Sequence, residues 1–181
     1  MMKARDILGL PIIYDDGRKS PGFLKDIIIN ICEKQVNAFV AEKTGFRKNR
    51  LIFGFDDIRD IGGGALIVKS ISGVDKCIEY KKSCNTNKSL SDIDKKKIEI
   101  KVYSKNGEDL GLVKDIFFDL QTGYIEAFEL SNGLIEDIIE GRKIIPLIGK
   151  YEFSEDNIIV DTEAVQEMIE VKSKIRKKIL E

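Results

Sequence analysis

The sequence predicts a mainly β protein: two small β-barrels in tandem, joined by a Lys-rich linker and followed by a C-terminal α-helix. Three observations predict it. The pattern Gly-x-x-Lys-Asp-Ile occurs twice, as Gly22-Phe23-Leu24-Lys25-Asp26-Ile27 and as Gly111-Leu112-Val113-Lys114-Asp115-Ile116, with the glycines 89 residues apart. Around each copy, short apolar segments alternate with turn residues, the pattern of half-buried strands. The period is the size of a small domain, well beyond the ~20–50 residues of a solenoid repeat, so it reads as a tandem duplication.

Copy one occupies 1–75. Tyr14 closes its first strand, and Asp15-Asp16-Gly17 is a turn. The Gly22 motif opens a second strand that runs into Ile27-Ile28-Ile29, and a third contains Ala38-Phe39. Leu51-Ile52-Phe53 forms a further strand, and Gly62-Gly63-Gly64 turns the chain into a last one, Ala65 to Lys69. The triple glycine lacks the Lys-Ser/Thr and the helix that a phosphate loop needs, so it reads as a hairpin turn.

Residues 76–97 form the linker, within a Ser-, Asn-, Thr- and Lys-containing stretch that begins at 70 and ends in Lys95-Lys96-Lys97. Copy two, 98–161, starts with the alternating strand 98–103, and Asn106-Gly107 marks a tight turn. Leu110 to Leu120 is its long strand, and Gln121-Thr122-Gly123 leads into a third from Tyr124 to Leu130. Lys143-Ile144-Ile145-Pro146 and Asn157 to Val160 complete the set, with Pro146 expected at a strand end because it has no N–H for a ladder. At the 89-residue offset Tyr14 aligns with Tyr103 and Ala38-Phe39 with Ala127-Phe128, while Leu51-Ile52-Phe53 takes the place of Ile144-Ile145-Pro146. Five or six short strands per copy suggest closure into a barrel, which removes exposed edges. The tail, 162–181, reads as a helix capped by Asp161 or Thr162, acidic residues first and basic residues last, as the helix dipole favours.

Composition bounds the chemistry. There is no His, which removes the commonest general base and the commonest metal ligand. The three cysteines fit reduced thiols, with Cys32 expected to pack as a small hydrophobe. Cys77 and Cys84 lack the partners of a zinc site. Glu136, Asp137 and Glu140 lack a calcium-loop pattern and read as a solvated acidic loop. No apolar run approaches the ~18 residues of a membrane helix, and Met1-Met2-Lys3 leads into no signal-like apolar segment, so a cytoplasmic location is expected. The net charge of −1 conceals asymmetry: residues 1–75 carry +2, 76–97 carry +4 and 98–162 carry −8.

With these motifs in this order, the chain resembles the PRC-barrel family. Its members include the cytoplasmic domain of the photosynthetic reaction-centre H subunit, the C-terminal domain of the ribosome maturation factor RimM, and small bacterial proteins linked to sporulation. The resemblance implies a pair of barrels used as non-catalytic binding modules, with no catalytic residue, no metal and no cofactor. Gly22, Asp26, Gly111, Asp115 and Pro146 are then structural: the glycines for strand bends or close backbone approach, the aspartates for hydrogen bonding inside apolar strands.

The copies differ most in the loop after the third strand. Copy one is basic with an aromatic, carrying Phe46, Arg47, Lys48 and Arg50; copy two is acidic and apolar, carrying Leu134, Ile135 and Ile138 with Ile139. These residues are the candidate protein-binding set. A protein partner is expected. RNA or the ribosome is the alternative, reached through the basic loop and the Lys81–Lys97 segment. Homodimerisation is left open, and neither DNA nor a membrane span is indicated.

Overall fold

The computed structural model describes residues 1–17, 22–42, 50–62, 64–69, 87–94, 99–133, 137, 141–154 and 156–168. The chain divides into two compact units, Met1–Ser91 with Phe118–Tyr124, and Asp92–Phe117 with Ile125–Glu181. Both are rich in strands, and each copy of the repeat supplies the six strands of one main ladder.

In the first unit, a short strand β1 (Met2–Lys3) and a 3₁₀ turn (Ala4–Ile7) precede β2 (Pro11–Tyr14), β3 (Gly22–Asn30), β4 (Gln35–Glu42), β5 (Arg50–Gly54), β6 (Ile58–Gly62) and β7 (Ala65–Val68). The ladder order is β5-β4-β3-β2-β7-β6. A flat sheet of six strands would hold its outer strands about 24 Å apart. Yet β5 and β6 are joined by only Phe55–Asp57, a 3₁₀ turn of three residues whose reach is no more than about 14 Å. The sheet must therefore curl until its two ends meet. Ile12, Leu24, Ile27, Phe39, Leu66 and Val68 are all 2% exposed or less and fill the unit. One buried Phe or Ile contributes about 1.5–3 kcal/mol, so this set is the main source of stability.

The second sheet repeats the plan. Strands β9 (Lys101–Ser104), β10 (Asp109–Phe118), β11 (Ile125–Ser131), β12 (Lys143–Pro146), β13 (Tyr151–Phe153) and β14 (Asn157–Val160) run in the order β12-β11-β10-β9-β14-β13. Its outer strands are joined by residues 147–150, again too short to span a flat sheet. Val102, Ile116, Phe118, Phe128, Ile145, Ile158 and Val160 are buried at 0% exposure. Each sheet contains a parallel pair, β2 with β7 and β9 with β14.

The registers correct the sequence alignment in two places. Ile12 pairs with Gly22 and Leu66, while Val102 pairs with Gly111 and Ile158. Ile12 is therefore equivalent to Val102, and Tyr14 to Ser104 rather than to Tyr103. Side chains alternate with period two, so a one-residue slip would have sent Ile12 outward; both Ile12 and Val102 are fully buried. Likewise Ala38 pairs with Gly54 as Ala127 pairs with Pro146, so Gly54, not Phe53, stands in the proline's place. The Gly54 N–H is bonded to Asp57 Oδ2 at 2.9 Å. Copy one satisfies this donor with a side chain; copy two has no donor there to satisfy.

Two further expectations change. The segment read as linker contains β8 (Asn87–Ser89), which adds to β3 through Ile28↔Ser89 and Asn30↔Asn87, and a five-residue helix α1 (Leu90–Asp94). The helix buries Leu90 and Ile93, spaced as Ala4 and Ile7 are in the first 3₁₀ turn, so Ala4-Arg5-Asp6-Ile7 and Leu90-Ser91-Asp92-Ile93 form a second short repeat. Cys32 is exposed in the 31–34 turn rather than packed. In this turn Ile31, at 4% exposure, takes the buried position and the adjacent Cys32 faces outward. Helix α2 occupies 162–168, with Ala164 and Met168 buried and Asp161 Oδ1 accepting the Thr162 N–H at 2.7 Å. Among the described residues no helix is long and apolar enough to cross a membrane.

Candidate contact loops

The loops that distinguish the copies leave the fold at the same place. In the first unit the β4–β5 ladder runs from Ala38↔Gly54 to Glu42↔Arg50. In the second the β11–β12 ladder runs from Ala127↔Pro146 to Leu130↔Lys143. Continuing that register by one residue puts Arg142 where Arg50 stands, and Ser131 where Glu42 stands. Each loop is thus the tip of an antiparallel hairpin whose roots are held close together by the ladder. Arg50 is exposed and lies directly opposite Glu42, an opposite-charge cross-strand pair. Phe46, Arg47 and Lys48 lie outside the described residues, as do Leu134, Ile135, Ile138, Glu136, Glu140, Cys77 and Cys84.

The root of the second loop is a polar network. Glu129 sits in β11 with 7% exposure, flanked by buried Phe128 and Leu130. A carboxylate at that position requires a cation. Arg142 supplies it: one guanidinium nitrogen donates to Glu129 Oε2 at 2.9 Å, and Nε donates to Asp137 Oδ2 at 3.4 Å. The hydrogen bond to Glu129, chiefly, raises the Arg142 pKa above its ordinary value; burial works against it. Asp137 Oδ2 also accepts from Ser131 Oγ at 2.7 Å. The Asp137 N–H donates to Gly133 O at 2.9 Å, and its carbonyl accepts from the Gly141 N–H at 3.1 Å. Asp137 therefore pins the loop through backbone and side chain together.

Gly111 completes this root. Its φ is +119°, a region that side chains disfavour, and a Cβ there would lie 2.7 Å from Ser131 O and collide with the Asn132 carboxamide. That carboxamide is oriented so that its nitrogen donates to Leu110 O at 2.8 Å and its oxygen accepts from Lys143 Nζ at 2.6 Å. Gly22, its counterpart, has φ +130° and pairs with Ile12.

The paired aspartates answer the backbone. Asp26 follows a register shift in β3, and its Oδ1 accepts the N–H of Ile27 at 2.8 Å; its other oxygen accepts from Ser89 Oγ of β8. Asp115, fully buried, does the same for Ile116 at 2.9 Å. A bulge takes an N–H out of the ladder, and the adjacent carboxylate offers it an acceptor. Pro146 ends β12, an outer strand. Among the described residues no group of three or more His, Cys, Asp or Glu side chains is gathered to hold a metal.

Sequence reasoning missed Glu129, Ser131, Asn132 and Arg142. A signal was available: an acid at a buried strand position implies a cation nearby, and Arg142 precedes the strand that pairs with it.

Two curled sheets of one plan, each with a glycine at positive φ in its longest strand, a short link between its outer strands and a variable hairpin loop, define a tandem-barrel module protein. Comparison with known proteins agrees. The PRC-barrel domain matches residues 1–75 and again 94–166, and the chain belongs to that family. It is also similar to "Uncharacterized protein YrrD" of Bacillus subtilis (strain 168), with 24% identity over 140 residues, covering 77% of this chain and 75% of that protein.

Proposed function

We propose that this protein is a non-catalytic, protein-binding adaptor or scaffold that uses the hairpin loops after the third strand of each barrel as its contact elements. One observation carries the reading: the two copies keep the same strand order and the same hairpin register where the loop departs, yet fill the loops with opposite chemistry. A duplicated scaffold with diverged loops suits the recognition of two different surfaces. Phe46, Arg47, Lys48 and Arg50 suit an acidic surface; Leu134, Ile135 and Ile138 suit an apolar one. The same basic loop, with Phe46 for stacking, would serve RNA in the competing reading.

The test is capture from native lysate with the full chain and with the Arg47→Glu/Arg50→Glu variant. Loss of a specific protein from the captured set is the expected result. An unchanged set removes the loop from the function. Binding to RNA that falls steeply with rising salt would establish the competing reading instead.

A further inference from the structure

The dipeptide Asn-Gly occurs twice in the chain, as Asn106-Gly107 and as Asn132-Gly133, each exposed on the second unit. Such a pair is prone to lose the side-chain amide, because a glycine N–H, unhindered by a side chain of its own, reaches the preceding asparagine Cγ. The surroundings of the two pairs differ. The Gly107 N–H donates to a backbone carbonyl, Ser104 O, at 2.9 Å, which passes no proton on. The Gly133 N–H donates to the Ser131 hydroxyl at 3.2 Å, and that hydroxyl donates in turn to Asp137 Oδ2 at 2.7 Å. The Asn132 carboxamide is held between Leu110 O, which accepts from its nitrogen at 2.8 Å, and Lys143 Nζ, which donates to its oxygen at 2.6 Å. A nucleophile with a proton path and a carbonyl under a cation thus adjoin in one segment. Copy one has Glu42 in place of Ser131, followed by Lys43 and Thr44, so its sequence holds no such pair.

We propose that Asn132 is a site of self-catalysed deamidation, with the root of its own loop as catalyst and water as the co-substrate. Gly133 N attacks Asn132 Cγ. Its proton passes to Ser131 Oγ while the hydroxyl proton moves to Asp137, and Lys143 stabilises the oxyanion that forms on the carboxamide oxygen. The Asn132 Cγ–Nδ2 bond then breaks, the nitrogen leaves as ammonia, and the new bond from Gly133 N to Cγ closes a succinimide. The proton that Gly133 loses balances the one that ammonia gains, by way of solvent at this exposed position. Water opens the ring to aspartate or isoaspartate. Either product lacks the N–H that Leu110 O accepts, and adds a negative charge to a segment, 98–162, that already carries −8. Isoaspartate also lengthens the main chain where Ser131 O and Asn132 crowd Gly111. The loop root is thus released by a slow, one-way step. This chemistry concerns how the loop is held rather than what it touches, so it stands apart from the adaptor reading.

The experiment incubates the full chain at neutral pH, folded and in denaturing urea, and follows conversion of Asn132 and Asn106 in proteolytic peptides by mass spectrometry. Asn132 is expected to react faster in the folded chain than in urea by about tenfold or more, the reverse of the protection that a fold ordinarily gives such a pair. Asn106 serves as the internal control and is expected to show no such acceleration. Ser131→Ala and Lys143→Met, checked for folding by circular dichroism, are each expected to slow the conversion of Asn132 by about tenfold or more. Were these hydrogen bonds only holding the loop, both substitutions would loosen it and speed the loss. Asn132 reacting no faster folded than in urea overturns the proposal, as does a folded Ser131→Ala or Lys143→Met chain in which its rate is unchanged or raised. Should either variant unfold, the comparison of folded chain with urea decides alone.

Discussion

Replacing Gly111 by alanine tests how the second loop is rooted. The backbone at φ +119° would cost about 1–3 kcal/mol for a residue with a side chain. The new Cβ would fall 2.7 Å from Ser131 O, so the end of β11 must move. That movement breaks the Asn132 bond to Leu110 O, a further ~0.5–1.5 kcal/mol. Against this stands a gain of about 0.4–1 kcal/mol from the stiffer unfolded chain. The net expectation is a loss of about 0.5–4 kcal/mol, centred on ~2 kcal/mol, a sizeable share of the ~5–15 kcal/mol that holds a typical domain together. Gly107→Ala is the matched control: φ is +83°, but nothing lies within 4 Å of the added Cβ, so about 1 kcal/mol is expected. Urea unfolding followed by circular dichroism gives both values, and hydrogen exchange on peptides from β10 and β11 assigns them to the second sheet. Equal losses from the two substitutions would refute the argument that close approach at Gly111 shapes the loop root.

Three more outcomes follow from the geometry. Asp57→Ala should cost about 1–2 kcal/mol by stranding the Gly54 N–H, and almost nothing in a Gly54→Pro background, because φ at Gly54 is −65° and proline has no N–H; a double-mutant cycle by denaturation measures the difference. Arg142→Gln should destabilise the second sheet by about 1–3 kcal/mol, since Glu129 loses its cation while Arg142 itself is partly exposed, and it should remove the exchange protection of the Gly141 amide. Lys105 holds the Asp161 carboxyl below the ordinary aspartate range through a 2.9 Å bond, so whatever Asp161 contributes is present above its unfolded pKa and lost as pH falls through its folded one; Lys105→Gln should move the carboxyl titration, followed by NMR, back up toward the ordinary range.

The doubled motif made the architecture legible, because Gly22 and Gly111, with the strands that follow them, must occupy the same environment twice. Position within the motif was harder. Tyr14 and Tyr103 look alike in sequence, but burial decides register, and the residues that burial selects are Ile12 and Val102. The segment 87–94 reads as linker because its surroundings are polar; only Leu90 and Ile93, four positions inclusive, betray a packed turn. The difference between the loops was visible as charge and hydrophobicity. Their root was not, because Glu129 and Arg142 lie 13 residues apart in sequence and meet only through the β11–β12 hairpin.

The most direct test of the adaptor account is quantitative capture of proteins from native lysate by the full chain, compared with a chain whose residues 43–49 are replaced by a Gly-Ser segment of equal length. With the strands of both sheets intact by circular dichroism, the account predicts that at least one strongly captured protein disappears. A captured set identical in membership and amount would contradict it.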